Sequence, residues 1–315
     1  MLHSLFASLF VVSIASTAVA QDGLTPTDVL DGGHASVTGR LQFTQGQGTL
    51  TSGTIDLDAD ISEFQFILEG AVGLGMGFEV EASLPYQFTG DLEIDGAGTT
   101  QEFEEIGFGD LLLSPVYRLL GDGKEGLQVI AGAMIVLPTG KKEPAEPEGS
   151  IGPLPLNGEE GGIGNGIWRF GALAGISMRA GLVEPYFTVS WLSGGTTDVQ
   201  NDSIEVERPD LWTLTLGSEF HLGEQITFDL RTIFEVVGDE IEENSLGVET
   251  TEESHFQNGW QAQLYYTAGA GLTLIAGVGV SFLEDYTVDD TANIDLEDTF
   301  FYSATVGIHI VLGGK

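Results

Sequence analysis

Phe78-Glu79-Val80-Glu81-Ala82-Ser83-Leu84-Pro85-Tyr86-Gln87-Phe88 is apolar at every even position and mostly polar at the odd ones. A period of two is the mark of a strand whose two faces meet different surroundings. About a dozen such stretches follow one another, joined alternately by tight turns and by long acidic segments. When so many strands present one continuously apolar and aromatic face, the economical solution is a closed barrel with that face toward lipid.

The expected strands run Val37–Gln45, Phe64–Leu74, Phe78–Phe88, Ile106–Leu119, Leu127–Leu137 and Ile167–Met178, then Val183–Leu192, Leu211–Leu222, Ile226–Val236, Trp260–Ala268, Leu272–Phe282 and Phe300–Leu312. Turns such as Gly75-Met76-Gly77 and Gly269-Ala270-Gly271 are too short for anything but hairpins. The fold class is therefore all-β: a transmembrane antiparallel up-and-down barrel of about twelve strands. Its short turns are expected to be periplasmic and its long acidic loops extracellular.

The N-terminus reads as an export signal: Leu5 to Ala15 is apolar but too short to span a bilayer, and Ala18-Val19-Ala20 places cleavage before Gln21. The expected organisation is a signal peptide over 1–20, a short periplasmic tail over 21–35 and an outer-membrane barrel over 36–315. The membrane is that of a Gram-negative-type bacterium. Without cysteine the chain has neither disulfides nor thiolate chemistry. With 48 acidic against 10 basic residues and a net charge of −38, nucleic acid is excluded as a direct partner. The partners expected are outer-membrane lipid and lipopolysaccharide, the barrel-assembly machinery and a small-molecule solute.

Tryptophan gives an independent check. By strand parity Trp168, Trp191, Trp212 and Trp260 all face outward, at strand ends next to the long loops. Indole prefers the membrane interface, so these four read as an aromatic girdle.

Gly107-Phe108-Gly109-Asp110-Leu111, Tyr117-Arg118, Leu137-Pro138-Thr139-Gly140 and Gly164-Asn165-Gly166 resemble outer-membrane proteins of the phenol-degradation meta-pathway transporter family. The resemblance is best from about Ile106 to Gly195. It implies a barrel that conducts aromatic or other hydrophobic compounds.

Lumen side chains tune what passes through a barrel. A charged set points inward: Arg40, Glu69, Glu79, Glu81, Asp110, Arg118, Arg169 and Arg231, accompanied by Arg179, Glu184, Glu219 and Asp229. It is either a network of salt bridges filling a narrow lumen or a charged constriction. On strands four to six the inward set turns apolar, with Leu112, Val116, Ile130, Met134, Val136 and Leu173. This wall is either core packing in an occluded barrel or a slide for a greasy solute. Asp91, Glu93, Asp95 and Glu102 match the spacing of a calcium loop, although an acidic segment produces such spacings by chance. The loop Pro138–Gly164, rich in proline, is the candidate constriction.

Catalysis is not expected. His221 and His309 point inward without a serine companion on the lipid face, and no cofactor is expected beyond divalent cations bound by loops. The function expected is passive uptake of small hydrophobic or aromatic solutes. The alternatives are a general cation-preferring porin and a structural or adhesive envelope barrel with an occluded lumen.

Overall fold

The computed structural model describes residues 27–313 except 53–54, 97–98, 122–124, 142–147, 152–153, 157–161, 200–203, 245–246, 248, 270 and 290–293. The signal peptide expected over 1–20 lies outside the described residues.

Twelve staves form the wall: β1 (Ala35–Ser52), β2 (Ile55–Gly75), β3 (Phe78–Gly96), β4 (Leu111–Leu120), β5 (Gly126–Leu137) and β6 (Arg169–Arg179), then β7 (Val183–Leu192), β8 (Leu211–His221), β9 (Ile226–Val237), β10 (His255–Gly269), β11 (Leu272–Leu283) and β12 (Ile294–Leu312). Each stave pairs antiparallel with the next. The ring is closed by β1 against β12, with Ala35 opposite Leu312 and Leu41 opposite Val306. Closure removes the edges, and so leaves no row of unpaired backbone groups facing lipid.

Parity divides the two faces as the alternation predicts. Val37, Leu41 and Phe43 of β1, Leu68 and Val72 of β2, and Val306, Ile308 and Ile310 of β12 are exposed on the outside. Thr38, Glu69, Gln87, Glu219, Asp229 and Gln263 are buried inside. The tight turn after β2 needs three successive left-handed residues: Gly75, Met76 and Gly77 have φ of 89°, 58° and 79°. Glycine reaches that region without penalty, which is why it flanks the one methionine.

The long acidic segments differ from expectation. They are not irregular loops but further β-hairpins that raise the wall above the membrane. β3 runs on to Gly96 and returns as Thr99–Glu104, with Glu93 opposite Glu102. Gly195–Val199 pairs with Ile204–Arg208, Glu240–Asn244 with Glu249–Glu252, and Tyr286–Asp289 with the start of β12. The alternation continues there, with most carboxylates outward, while Glu240 and Glu252 are buried on the inner side, Glu240 paired with Arg208 at 3.0 Å.

Outside the bilayer the outer face meets water, so the polarity of the wall inverts. The interior at this end is an apolar core that includes Leu50, Ile61, Leu92, Ile94, Phe103, Val288, Leu296 and Phe301. The calcium-loop candidates fall on the other face of the same hairpin: Asp91, Glu93, Asp95 and Glu102 are all exposed. Glu93 lies beside Asp95, within side-chain hydrogen-bond reach, and faces Glu102 across an extended hairpin. The chain here does not wrap round a point as a calcium loop does.

Val278, 62 % exposed, sits near the middle of β11 and faces outward. Val278→Arg is expected to cost about 2–4 kcal/mol, the loss for a cation on the lipid face at the bilayer midplane. Urea unfolding of the barrel in lipid vesicles measures it. A negligible cost would place β11 outside the hydrocarbon.

Candidate functional site

The strands bring the predicted charged residues into the lumen, but not into one cluster. Arg40 on β1 pairs with Glu69 on β2 at 3.1 Å. Glu81 is one diagonal step from Glu69, since Glu69 faces Ser83 and Glu81 faces Ala71. On β9 Arg231 holds Asp229 at 2.7 Å and reaches Gln263 at 3.0 Å. The Tyr186 hydroxyl donates to the same Asp229 at 2.9 Å. The ring fits there because residue 217 is glycine: a Cβ would lie 2.4 Å from the Tyr186 hydroxyl.

The remaining charges of the set serve the chain itself. Glu79 Oε2 accepts the Leu30 amide at 2.5 Å, and Arg118 donates to the Val29 carbonyl. Residues 27–34, expected as a periplasmic tail, thus fold back against the inner wall as a strap. Thr27 Oγ1 donates to Ser177 Oγ at 2.7 Å, and Val29 is buried among the lumen apolars. Sequence reasoning missed the strap, although the apolar pair Val29-Leu30 in a polar stretch was its signal. Burial, reinforced by the Glu184 carboxylate and only partly offset by Arg118 and Arg179, pushes the Asp28 carboxyl from its usual 3.8 up to about 7.

Leu112, Val116, Ile130, Met134, Val136 and Leu173 do come together. They form one buried cluster with Val29, Leu192, Leu211 and Val237, extending the expected wall over β4 to β9. Opposite it lies a small chamber, lined by polar side chains together with Ile233, Val280 and Phe301. Its lining includes Gln42, Thr44, Glu235, Gln257, Gln261 and Ser303. Of these, Gln42 shares the strand parity of Arg40 and so points inward with it.

Asp110 and Arg169 belong to the rim. Asp110 accepts the Gly140 amide at 2.9 Å and the Asn165 amide at 2.7 Å. Thr139 Oγ1 donates to the Gly109 carbonyl at 3.2 Å and accepts the Leu111 amide at 2.9 Å. Three of the four short motifs that carried the family resemblance are thereby tied into one knot. It closes the seam above Ser83 and Leu112, where β3 and β4 stop pairing, with help from the Gly109 amide bonded to the Pro85 carbonyl. Two glycines make the knot possible: a Cβ on Gly140 would lie 2.7 Å from Gly164 Cα. Arg169 donates to the Ser193 and Pro209 carbonyls, each at 2.7 Å, and so fixes two further rim segments. The candidate constriction Pro138–Gly164 is described only in part, and no side chain of 142–161 is among the described residues.

Trp168, Trp212 and Trp260 are exposed on the outer wall. Trp191 lies against Trp212, ring centroids 6.2 Å apart and planes tilted by 41°, and donates its indole N–H to Asp210. Phe64, Phe88, Tyr86 and Phe108 continue the belt as a chain of ring contacts between 4.8 and 5.1 Å.

Two outcomes follow. Asp110→Ala is expected to destabilise the barrel by about 2 kcal/mol, because two backbone donors lose a charged acceptor; urea unfolding checks this, and an unchanged midpoint would remove the knot from the account. A docked carboxyl with a raised pKa takes up a proton, so the strap holds best at low pH. Its hold weakens as pH rises from 3.8 toward 7. A spin label near Asp28 should become more mobile across that window in the natural chain, and stay pH-independent in Asp28→Asn.

Residues 38–153 match the family described as MetA-pathway of phenol degradation. The match lies further toward the N-terminus than the motifs suggested, covering β1 to β5. No curated protein matches the sequence. Among solved structures, an outer membrane channel from Pseudomonas putida F1 superposes with a TM-score of 0.54 at 13 % identity, covering 93 % of this chain and all of that one. A Pseudomonas aeruginosa FadL homologue gives 0.46 at 7 % identity over 94 % and 93 % of the two chains. The TodX monoaromatic hydrocarbon channel gives 0.45 at 10 % identity over 94 % of each. The chain is a closed twelve-stranded barrel of the outer-membrane type, and its first five staves carry the match to the phenol-degradation family that its motifs resemble.

Proposed function

We propose that this barrel is an outer-membrane channel for passive uptake of small hydrophobic or aromatic solutes. One observation carries the proposal: a contiguous cluster of buried apolar side chains, from Leu112 to Val237, lies on the inner side of six adjacent staves. A lumen that served only water and ions would not keep that face apolar, because each such residue forgoes hydration without holding a polar solute. The strap seats Val29 on this surface, so a greasy solute and the strap compete for the same wall. The fold agrees, since the Pseudomonas putida protein that it resembles is an outer membrane channel.

A second reading has its own support. The polar chamber presents amides, hydroxyls and the Glu235 carboxylate, a lining suited to small cations and hydrated solutes. The two readings separate by which side of the lumen controls flux.

In vesicles carrying the barrel, Met134→Glu should slow phenol entry about tenfold while leaving glucose little changed. A buried carboxylate costs a desolvated solute on the order of 1–3 kcal/mol, and 1.4 kcal/mol is a factor of ten. Equal loss for both solutes would favour the polar chamber as the path.

A further inference from the structure

Near the short-turn end of β7 and β8, three side chains converge on one point of the lumen. Glu184 and Glu219 stand in direct register across the ladder, 1 % and 0 % exposed. Like charges opposite one another destabilise a strand pair, and a low-dielectric setting deepens the repulsion. Neither carboxylate has moved away. His221, two residues beyond Glu219, lies on the same face and turns its Nε2 toward both. That nitrogen is 3.3 Å from Glu184 Oε2 and 3.7 Å from Glu219 Oε2, and the three donor atoms lie within 4.8 Å of one another. Ligands on a tetrahedral ion at about 2.0–2.1 Å are separated by roughly 3.3–3.4 Å. The spacing is that of ligand atoms sharing an ion.

The donors are also held from behind, as metal ligands are. The other oxygen of Glu184 accepts the Ser177 hydroxyl at 2.9 Å, and Nδ1 of His221 lies 3.3 Å from Thr227 Oγ1. Ser177 Oγ in turn accepts Thr27 Oγ1 at 2.7 Å, which links the cluster to the strap.

We propose that Glu184, Glu219 and His221 form a binding site for a divalent first-row transition ion, with Zn2+ as the representative. An imidazole nitrogen suits zinc and its neighbours, whereas calcium and magnesium are bound by oxygen alone. Two carboxylates bring the charge that one divalent ion neutralises. The ion clamps β7 to β8 and, through Ser177, steadies the docked strap. The site stands independently of the channel proposal, because its readout is metal binding and not solute flux.

The test is calorimetric titration of the full folded chain in detergent with ZnCl2, in excess calcium to occupy the acidic outer face. One Zn2+ site is expected, weakened at least about tenfold in His221→Ala and in Glu219→Gln, since loss of an outer-shell partner alone costs 10- to 100-fold. His255→Ala should leave it unchanged. Gel mobility before and after heating verifies that each variant is folded. If the variants do not fold, electron paramagnetic resonance of the natural chain with Cu2+ decides: coupling to one imidazole nitrogen supports the site. No nitrogen coupling, no zinc binding beyond the calcium-competed background, or binding that survives His221→Ala would overturn it and leave the cluster as a polar contact between β7 and β8.

Discussion

Every backbone N–H and C=O that enters hydrocarbon must find its partner within the protein, and for strands this requires a closed ring. The pairing of β1 with β12 is therefore the contact on which the rest depends. Once the ring closes, each residue of a stave has one of two addresses, lipid or lumen, fixed by parity. The twelve staves then enclose an interior too narrow to ignore its side chains and wide enough to hold more than they fill. The Tyr186 ring over Gly217 and the Phe301 ring over Gly46 show how closely it is packed where it is full.

The interior that results is divided. One side is polar, from the Arg40–Glu69 pair to the glutamine-lined chamber; the other carries the apolar cluster of β4 to β9, with Glu184, Glu219, Asp229 and Arg231 toward the short-turn ends of β7 to β9. The N-terminal strap sits against the apolar side, held by Glu79, Arg118 and Ser177. Above the membrane the same walls carry acid outside and an apolar core inside. A single alternating pattern thus serves two solvents: above the membrane the outward residues turn acidic and the inward ones turn largely apolar.

Much of this was legible before the fold was known, because a period of two survives in any strand exposed to two media. The inward placement of Leu112 through Leu173, of Arg40 with Glu69, and the outward tryptophans all follow from counting. What parity could not give was distance across the ring. Asp110 and Arg169 were read as lumen charges, yet their partners are the Gly140, Asn165, Ser193 and Pro209 backbones of the rim. The hairpins above the membrane were read as loops because glutamate and glycine are poor strand formers, and β-propensity yields to context. The strap was missed for a different reason: the lone apolar pair Val29-Leu30 is too short to show a period, and its place is set by Glu79 and Ser177, far away in sequence.

The central claim is that the apolar side of the lumen conducts. Its most direct test is solute entry into vesicles with lipopolysaccharide in the outer leaflet, with and without the natural barrel, comparing phenol with glucose. The account predicts that the barrel accelerates phenol and leaves glucose close to the protein-free rate. Equal acceleration of both solutes, or of neither, would contradict it.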